Sequence, residues 1–242
     1  MRVLRDAFQT LSPPAGDRHG PLTPMMVALT FVTGIVDAAS YLKLGHVFVA
    51  NMTGNVVFLG FALAGAGGLS ATSSLIALAS FLVGARLGGR LVARNPQHRG
   101  HMLRAASSVQ ALLIVVACLL ALSAGEPLHE GIRYLLTAIL AMAMGAQNAS
   151  AQSVAVPELT TTVLTKTLTG LGADPGQVSG PDSKLGRRIV AIAAMLLGAL
   201  AGGVLALDVS VAAGLATAAA IVLAVTLSVH LASRSDGAWV PA

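Results

Sequence analysis

Apolar residues along this chain come in eight blocks: Thr23–Leu42, Val47–Ala66, Ala71–Val92, Met102–Ala124, Ile132–Ala151, Val154–Gly172, Ile189–Leu207 and Val209–Ser233. Most are long and almost free of charge; Met102–Gly125 holds Arg104 and no other ionisable carboxylate or base. Runs beyond about 18 apolar residues point to membrane spans. The pattern therefore predicts an all-α, polytopic membrane protein. Two blocks break the rule. Val47–Ala66 contains Asn51, Thr53, Gly54 and Asn55, and Val154–Gly172 contains Pro157, Glu158, Thr160, Thr161, Thr162, Lys166 and further threonines. Unsatisfied polar groups in hydrocarbon cost several kcal/mol each, so a plain lipid-facing helix would not carry them. These two blocks are expected to be re-entrant or broken helices.

The blocks repeat. Leu82–Leu91 reads LVGARLGGRL and Leu196–Leu205 reads LLGALAGGVL, with Leu82, Gly84, Ala85, Gly88, Gly89 and Leu91 recurring 114 positions later. Upstream, Gly34-Ile-Val-Asp37-Ala38 matches Gly145-Ala-Gln-Asn148-Ala149, and the Asn51–Asn55 turn is answered by Thr160–Thr162. Gly84-x-x-x-Gly88 and Gly198-x-x-x-Gly202 are close-packing motifs between membrane helices. A duplicated half in an apolar chain is characteristic of transporter architecture.

Charge orients the repeat. The chain is 55% apolar and 10% charged, with a net charge of +5. A soluble domain carries about 25% charged residues. The basic residues stand next to spans, so the positive balance needs no nucleic-acid partner. If all eight blocks span, one basic cluster falls outside in either orientation. That cluster is Arg86, Arg90, Arg94, Arg99 and Arg104 in one case, and Arg2, Arg5, Arg18, Lys184, Arg187 and Arg188 in the other. If the two polar blocks enter and leave on one face, six spans remain, both termini are cytoplasmic, and every cluster just named is cytoplasmic. Each half then has three spans, so the halves are inverted. In this reading His46–Asn51 runs inward extended and a helix over Thr53–Gly65 returns. The expected organisation is a cytoplasmic tail over 1–22, a first membrane repeat over 23–124, an extracytoplasmic connection over 125–131, a second repeat over 132–233 and a cytoplasmic tail over 234–242. The first twenty residues lack the apolar core of a signal peptide.

Candidate chemistry is confined to few residues. Asp37 is a carboxylate inside the first span, and such a residue is a functional candidate by default. It could take up a proton or cation, or pair with Lys43 or His46. Asn51, Thr53, Asn55, Thr160 and Thr162 would stand where half-helices begin, and free N–H groups there favour anionic or polar solutes. The competing role is capping and interhelical bonding. Gln147, Asn148, Ser150 and Gln152 give the fifth span a polar end, open to the same two readings. Glu158 and Lys166, eight apart, could form an ion pair. His98 and His101 show no metal spacing, the single Cys118 has no partner thiol, and no cofactor or metal is expected. Neither a Walker lysine motif nor a hydrolase signature is present, so an enzyme is not expected.

The runs Gly34–Tyr41, Val47–Asn55, Gly145–Ala149 and Val156–Thr162 together resemble the YoaK family (DUF1275) of bacterial membrane proteins over roughly Thr23–Ala232. The resemblance implies a bacterial inner-membrane protein and no established activity. The family pattern often has basic residues where this chain has Ala151, Gln152 and Ser153, and at His46, so this member would differ in ligand charge. The expected function is secondary transport or export of a small polar or anionic solute, coupled through Asp37 to a proton or cation. A channel, an intramembrane enzyme and a non-transporting scaffold are the alternatives. Lipid and a small solute are the expected partners, and oligomeric state is left open.

Overall fold

The structure is a computed structural model that describes residues 2–14, 16–94, 98–157, 159, 168, 185–234 and 239–240. The described residues form eight α-helices and no strand. These are α1 (Arg2–Leu11), α2 (Leu22–Lys43), α3 (Met52–Leu63), α4 (Ala71–Ala93), α5 (Arg99–Ala124), α6 (Glu130–Val154), α7 (Leu185–Val204) and α8 (Val211–Ala232). A π-helical turn, Leu205–Val209, extends α7. Among the described residues five helices are long and apolar enough to cross a membrane: α2, α4, α5, α7 with its π turn, and α8. The sixth long helix, α6, has 25 residues and packs on α4 and α5. By contrast α3 has 12 residues and reaches about 18 Å, short of a hydrocarbon layer of about 30 Å.

Polar side chains cap three of the helix starts, where the first N–H groups lack partners within the helix. Ser70 Oγ accepts from Ser73 N–H (3.1 Å), His98 Nδ1 from His101 N–H (3.2 Å) and Ser210 Oγ from Ala213 N–H (3.1 Å). One end of the bundle gathers both tails. Trp239 is buried against Gly20 and Gly100, and Arg99 N–H donates to Val240 O (3.0 Å). At this terminal face Gly186 of α7 packs on the backbone of α1, and Asp6 Oδ2 accepts from Arg187 N–H (3.2 Å). The opposite face joins the end of α2 to the α5–α6 connection and the start of α8. There Lys43 pairs with Glu126 (3.7 Å), and Glu126 Oε1 accepts from Val211 N–H (2.7 Å). The start of α4 lies on this face too, because a Cβ at Gly45 would meet Ser73 Oγ at 3.3 Å.

Glycines decide which helices pair. On α4, a Cβ at Gly84 would lie 2.0 Å from Met142 O, and one at Gly88 would lie 2.7 Å from Ala146 Cα. On α6, a Cβ at Gly145 would lie 2.1 Å from Phe81 O. The second crossing has the same form. A Cβ at Gly198 would lie 2.0 Å from Phe31 O, one at Gly202 2.5 Å from Ile35 O, and one at Gly34 2.4 Å from Met195 O. Backbones this close exclude every side chain, and that contact replaces the hydrophobic driving force that lipid does not supply. So α4 docks on α6 and α7 docks on α2. α5 packs on α8 and on α6, and α8 also packs on α2. α2 is the most enclosed helix, with Leu22, Met26, Leu29, Val32, Ile35 and Val36 all essentially without exposure.

Candidate functional site

Between α2 and α3 the chain abandons helix. Gly45 (φ 106°) and His46 (φ 54°) turn it back, and Val47, Val49 and Ala50 are buried. Buried non-helical backbone must find partners for its amides. Asp37 supplies them: its Oδ1 accepts from Val49 N–H (2.9 Å) and Ala50 N–H (2.8 Å). Asp37 lies six residues before the end of α2, about 9 Å along the axis. The segment after α2 therefore runs back alongside α2 toward the interior. Asn55 completes the anchorage from α3. Its Oδ1 accepts from Phe48 N–H (2.9 Å) and its Nδ2 donates to Phe48 O (2.6 Å), so one amide side chain closes both backbone groups of Phe48. Gly54 is required beside it, because a Cβ there would lie 2.8 Å from the Phe48 ring. Tyr41 stacks on Phe48 (5.1 Å), both rings approach Phe58 (5.9 and 5.7 Å), and His46 meets Tyr41 edge-on (5.3 Å).

Asp37 is 4% exposed; the Asn51 N–H also faces its carboxylate, and Oδ2 has no hydrogen bond of normal geometry among the described residues. A buried carboxylate oxygen left in that state is unusual, since buried polar atoms are nearly always satisfied. Lys43 pairs with Glu126 instead of Asp37. Asn51 and Thr53, at the start of α3, are exposed on the protein surface. Asn51 flanks the helix without a capping bond from its side chain.

A second polar group crosses the core. Gln147 Nε2 donates to Thr33 Oγ1 (2.9 Å), and Gln110 Nε2 donates to Gln147 Oε1. Thr33 O–H in turn donates to Leu29 O (2.9 Å). The chain thus ties α2, α6 and α5, and all three side chains are buried. Gln110 Oε1 and Thr137 Oγ1 have no partner among the described residues. Asn148, which matches Asp37 in the sequence comparison of the two halves, is buried on α6, and Ser150 O–H donates to Gln147 O (2.7 Å). Of the sequence-derived site residues, Asp37 and Asn55 come together on one segment, while Gln147 joins a different cluster. Glu158, Thr160, Thr162 and Lys166 lie outside the described residues.

Two participants had little signal in the sequence. Gln110 sits in an apolar block on α5, where its amide is the departure from hydrophobicity that marks it. Arg99 reads as one more basic loop residue, yet it is 5% exposed. Its guanidinium donates to Val154 O at the end of α6 (2.8 Å from Nε), to Arg18 O (3.2 Å) and toward His19 Nδ1 (3.0 Å). Burial, and then the Arg99 charge, lower the His19 pKa to about 4, so the ring is neutral and accepts. Among the described residues no group of three metal-ligating side chains is present.

Helices of this length and apolarity, sealed by glycine contacts and holding their polar groups inside, define a multi-pass α-helical membrane protein. The chain belongs to the DUF1275 family, described as a protein of unknown function, whose model matches residues 25–228. It is 35% identical over 152 residues to the UPF0700 transmembrane protein YoaK of Bacillus subtilis (strain 168), a match taking in 62% of this chain. The match spans 65% of that relative's length. No solved structure matches the chain.

Proposed function

We propose that the chain is a secondary transporter or exporter of a small polar or anionic solute, built from two inverted repeats and resident in the bacterial inner membrane. In this reading α2, α4, α5, α6, α7 and α8 span, and the blocks Val47–Ala66 and Val154–Gly172 re-enter. The neighbouring positions of Gly45 and Ser73 support a segment 44–70 that leaves and returns on one face. The glycine crossings support the inversion. Gly84 meets Met142 as Gly198 meets Phe31, and Gly145 meets Phe81 as Gly34 meets Met195. Arg18, Arg99, Arg104, Arg187 and Arg188 collect at the terminal face, which is then cytoplasmic by the positive-inside rule.

The observation that carries the functional reading is Asp37. A buried carboxylate holds the start of a broken helix with one oxygen and leaves the other without a hydrogen bond of normal geometry. A proton or cation arriving at Oδ2 would be felt directly by the backbone that shapes the re-entrant segment. Asn51, Thr53, Asn55, Gln147, Asn148, Thr160 and Thr162 would face or frame the solute path. Glu158 and Lys166 would form an ion pair within the second re-entrant block. Closure would come from one repeat rocking on the other. The test is uptake or electrogenic current in proteoliposomes under an imposed proton or sodium gradient. Gradient-dependent flux that Asp37→Asn abolishes supports the reading, and flux unchanged in Asp37→Asn refutes the coupling role.

A second reading has its own support. Both polar atoms of Asn55 and of Gln147 are consumed by internal bonds, as expected of a non-transporting scaffold. A protein that stays folded and moves no solute under either gradient would favour it.

A further inference from the structure

The face opposite the tails holds a cleft of about 360 Å3, a size within the range of small-ligand sites. Its walls come from four places in the chain: the end of α2, the Gly45–His46 turn, the loop leading to Ser70 and Ser73, and the first turn of α6. Two consecutive residues at its lip, Gly45 and His46, have positive φ, a strained geometry for the non-glycine residue. The charges in the wall are Lys43, Arg133 and Glu130. Lys43 is neutralised by Glu126, the only ion pair among the described residues. That leaves one cation and one anion of the wall without an ion pair, Arg133 and Glu130. They stand three residues apart on α6 and do not pair with each other. Glu130 Oε1 instead accepts from Tyr134 O–H, which holds the carboxylate. Arg133 is half-buried near the start of α6, where helix N–H groups add partial positive charge.

With the Lys43 charge met by Glu126 just outside the lining, the cleft holds one guanidinium without an ion pair and one carboxylate bonded only to Tyr134, a set complementary to a ligand carrying both signs. A lone anion would meet Glu130, and a lone cation would meet Arg133. We infer that this cleft is a binding site for a small zwitterion of the α-amino acid type. The ligand carboxylate lies on the Arg133 fork and its ammonium on Glu130 Oε2, with Ser73 and Tyr134 beside it. The site binds at equilibrium and does not depend on the transport reading.

The experiment uses the full chain in nanodiscs with no gradient. Arg133 is modified with phenylglyoxal, and the rate at its peptide is read by mass spectrometry in the presence of L-alanine, L-serine or L-leucine. Acetate, methylammonium and sodium chloride at equal concentration are the comparators. Read relative to the exposed Arg90 in the same sample, which corrects for reagent consumed by free α-amino groups, at least one amino acid should slow Arg133 modification threefold or more, while the comparators slow it less than 1.5-fold. Glu130→Gln should remove that protection, its rate with ligand being compared with its own ligand-free rate. The readout is binding with no gradient imposed, so its failure is distinct from failure of ion coupling. The inference is overturned if no amino acid protects beyond sodium chloride, or if acetate protects equally. It is also overturned if Glu130→Gln, folded by its melting curve, retains full protection.

Discussion

The two glycine crossings, α4 on α6 and α7 on α2, are the same contact made twice, yet the helices that receive them differ in chemistry. On α6 the residue three beyond Gly145 is Asn148, and on α2 the residue three beyond Gly34 is Asp37. The packing agrees to the level of individual carbonyl oxygens, while the charge differs. The lesson is that the glycine contacts set the frame, while the polar side chain beside each crossing is where to look for mechanism. Two backbones at van der Waals limit tolerate no added atoms, whereas a carboxylate and an amide are nearly isosteric and can diverge at the same position.

The strongest way to break the comparison is to add one carbon at either crossing. Gly84→Ala and Gly198→Ala each put a Cβ 2.0 Å from a carbonyl oxygen. Each should cost at least the upper part of the roughly 1–3 kcal/mol typical of overpacking. Loss of monodisperse protein and a large fall in apparent melting temperature should be similar for the two. A mild effect at one of them would show that the crossings are not equivalent.

Next comes the charge. Asp37→Ala strips the acceptor from two buried N–H groups, at about 1–3 kcal/mol for each group left unsatisfied. Asp37→Asn keeps an acceptor oxygen and removes the charge. The alanine variant should therefore melt well below the asparagine variant, and equal melting would remove Asp37 from the anchorage of segment 44–51. Smaller still is Gln110→Ala, which leaves Gln147 Oε1 without its donor. Interhelical bonds in membranes average about 0.6 kcal/mol, so a shift of about 1 kcal/mol in reversible unfolding is expected.

An effect of another kind, read as a pH dependence and not ranked with these, concerns the terminal face, outside both crossings. His19 has a folded pKa depressed to about 4 from an ordinary 6.5, so the unfolded chain binds its proton more readily. Stability from this residue is complete above pH 6.5 and is lost progressively as pH falls from 6.5 to 4. The melting temperature of the wild type minus that of His19→Gln should decline over that window and level off below it. A constant difference would mean that the ring is not held neutral against Arg99.

Much of the frame was legible from hydrophobic pattern. The apolar block Ala71–Val92 became α4 at Ala71–Ala93, Thr23–Leu42 became Leu22–Lys43, and the helix expected over Thr53–Gly65 became Met52–Leu63. The glycines were legible as close-packing residues, because their spacing is a local property. Their partners were not, since Gly198 and Phe31 are separated by most of the chain. The same limit hid the Arg99 clamp on Val154 and the Gln110–Gln147–Thr33 tie, whose members lie on different helices. Asp37 and Asn55 stood out in sequence as polar groups in apolar runs. That their bonds go to the backbone of Phe48, Val49 and Ala50 depended on the chain reversing at Gly45 and His46.

The exchange of glycine partners also bears on how the molecule is made. α2 emerges from synthesis long before α7, and α4 waits for α6, so the amino-terminal half inserts with its closest-packing surfaces still facing lipid. Nothing in that half can close them, because both partners are encoded further on. Cut within residues 125–131, the chain would give two fragments that each insert but neither of which is finished. Expressed together they should find each other, and expressed alone they should be cleared by membrane proteases.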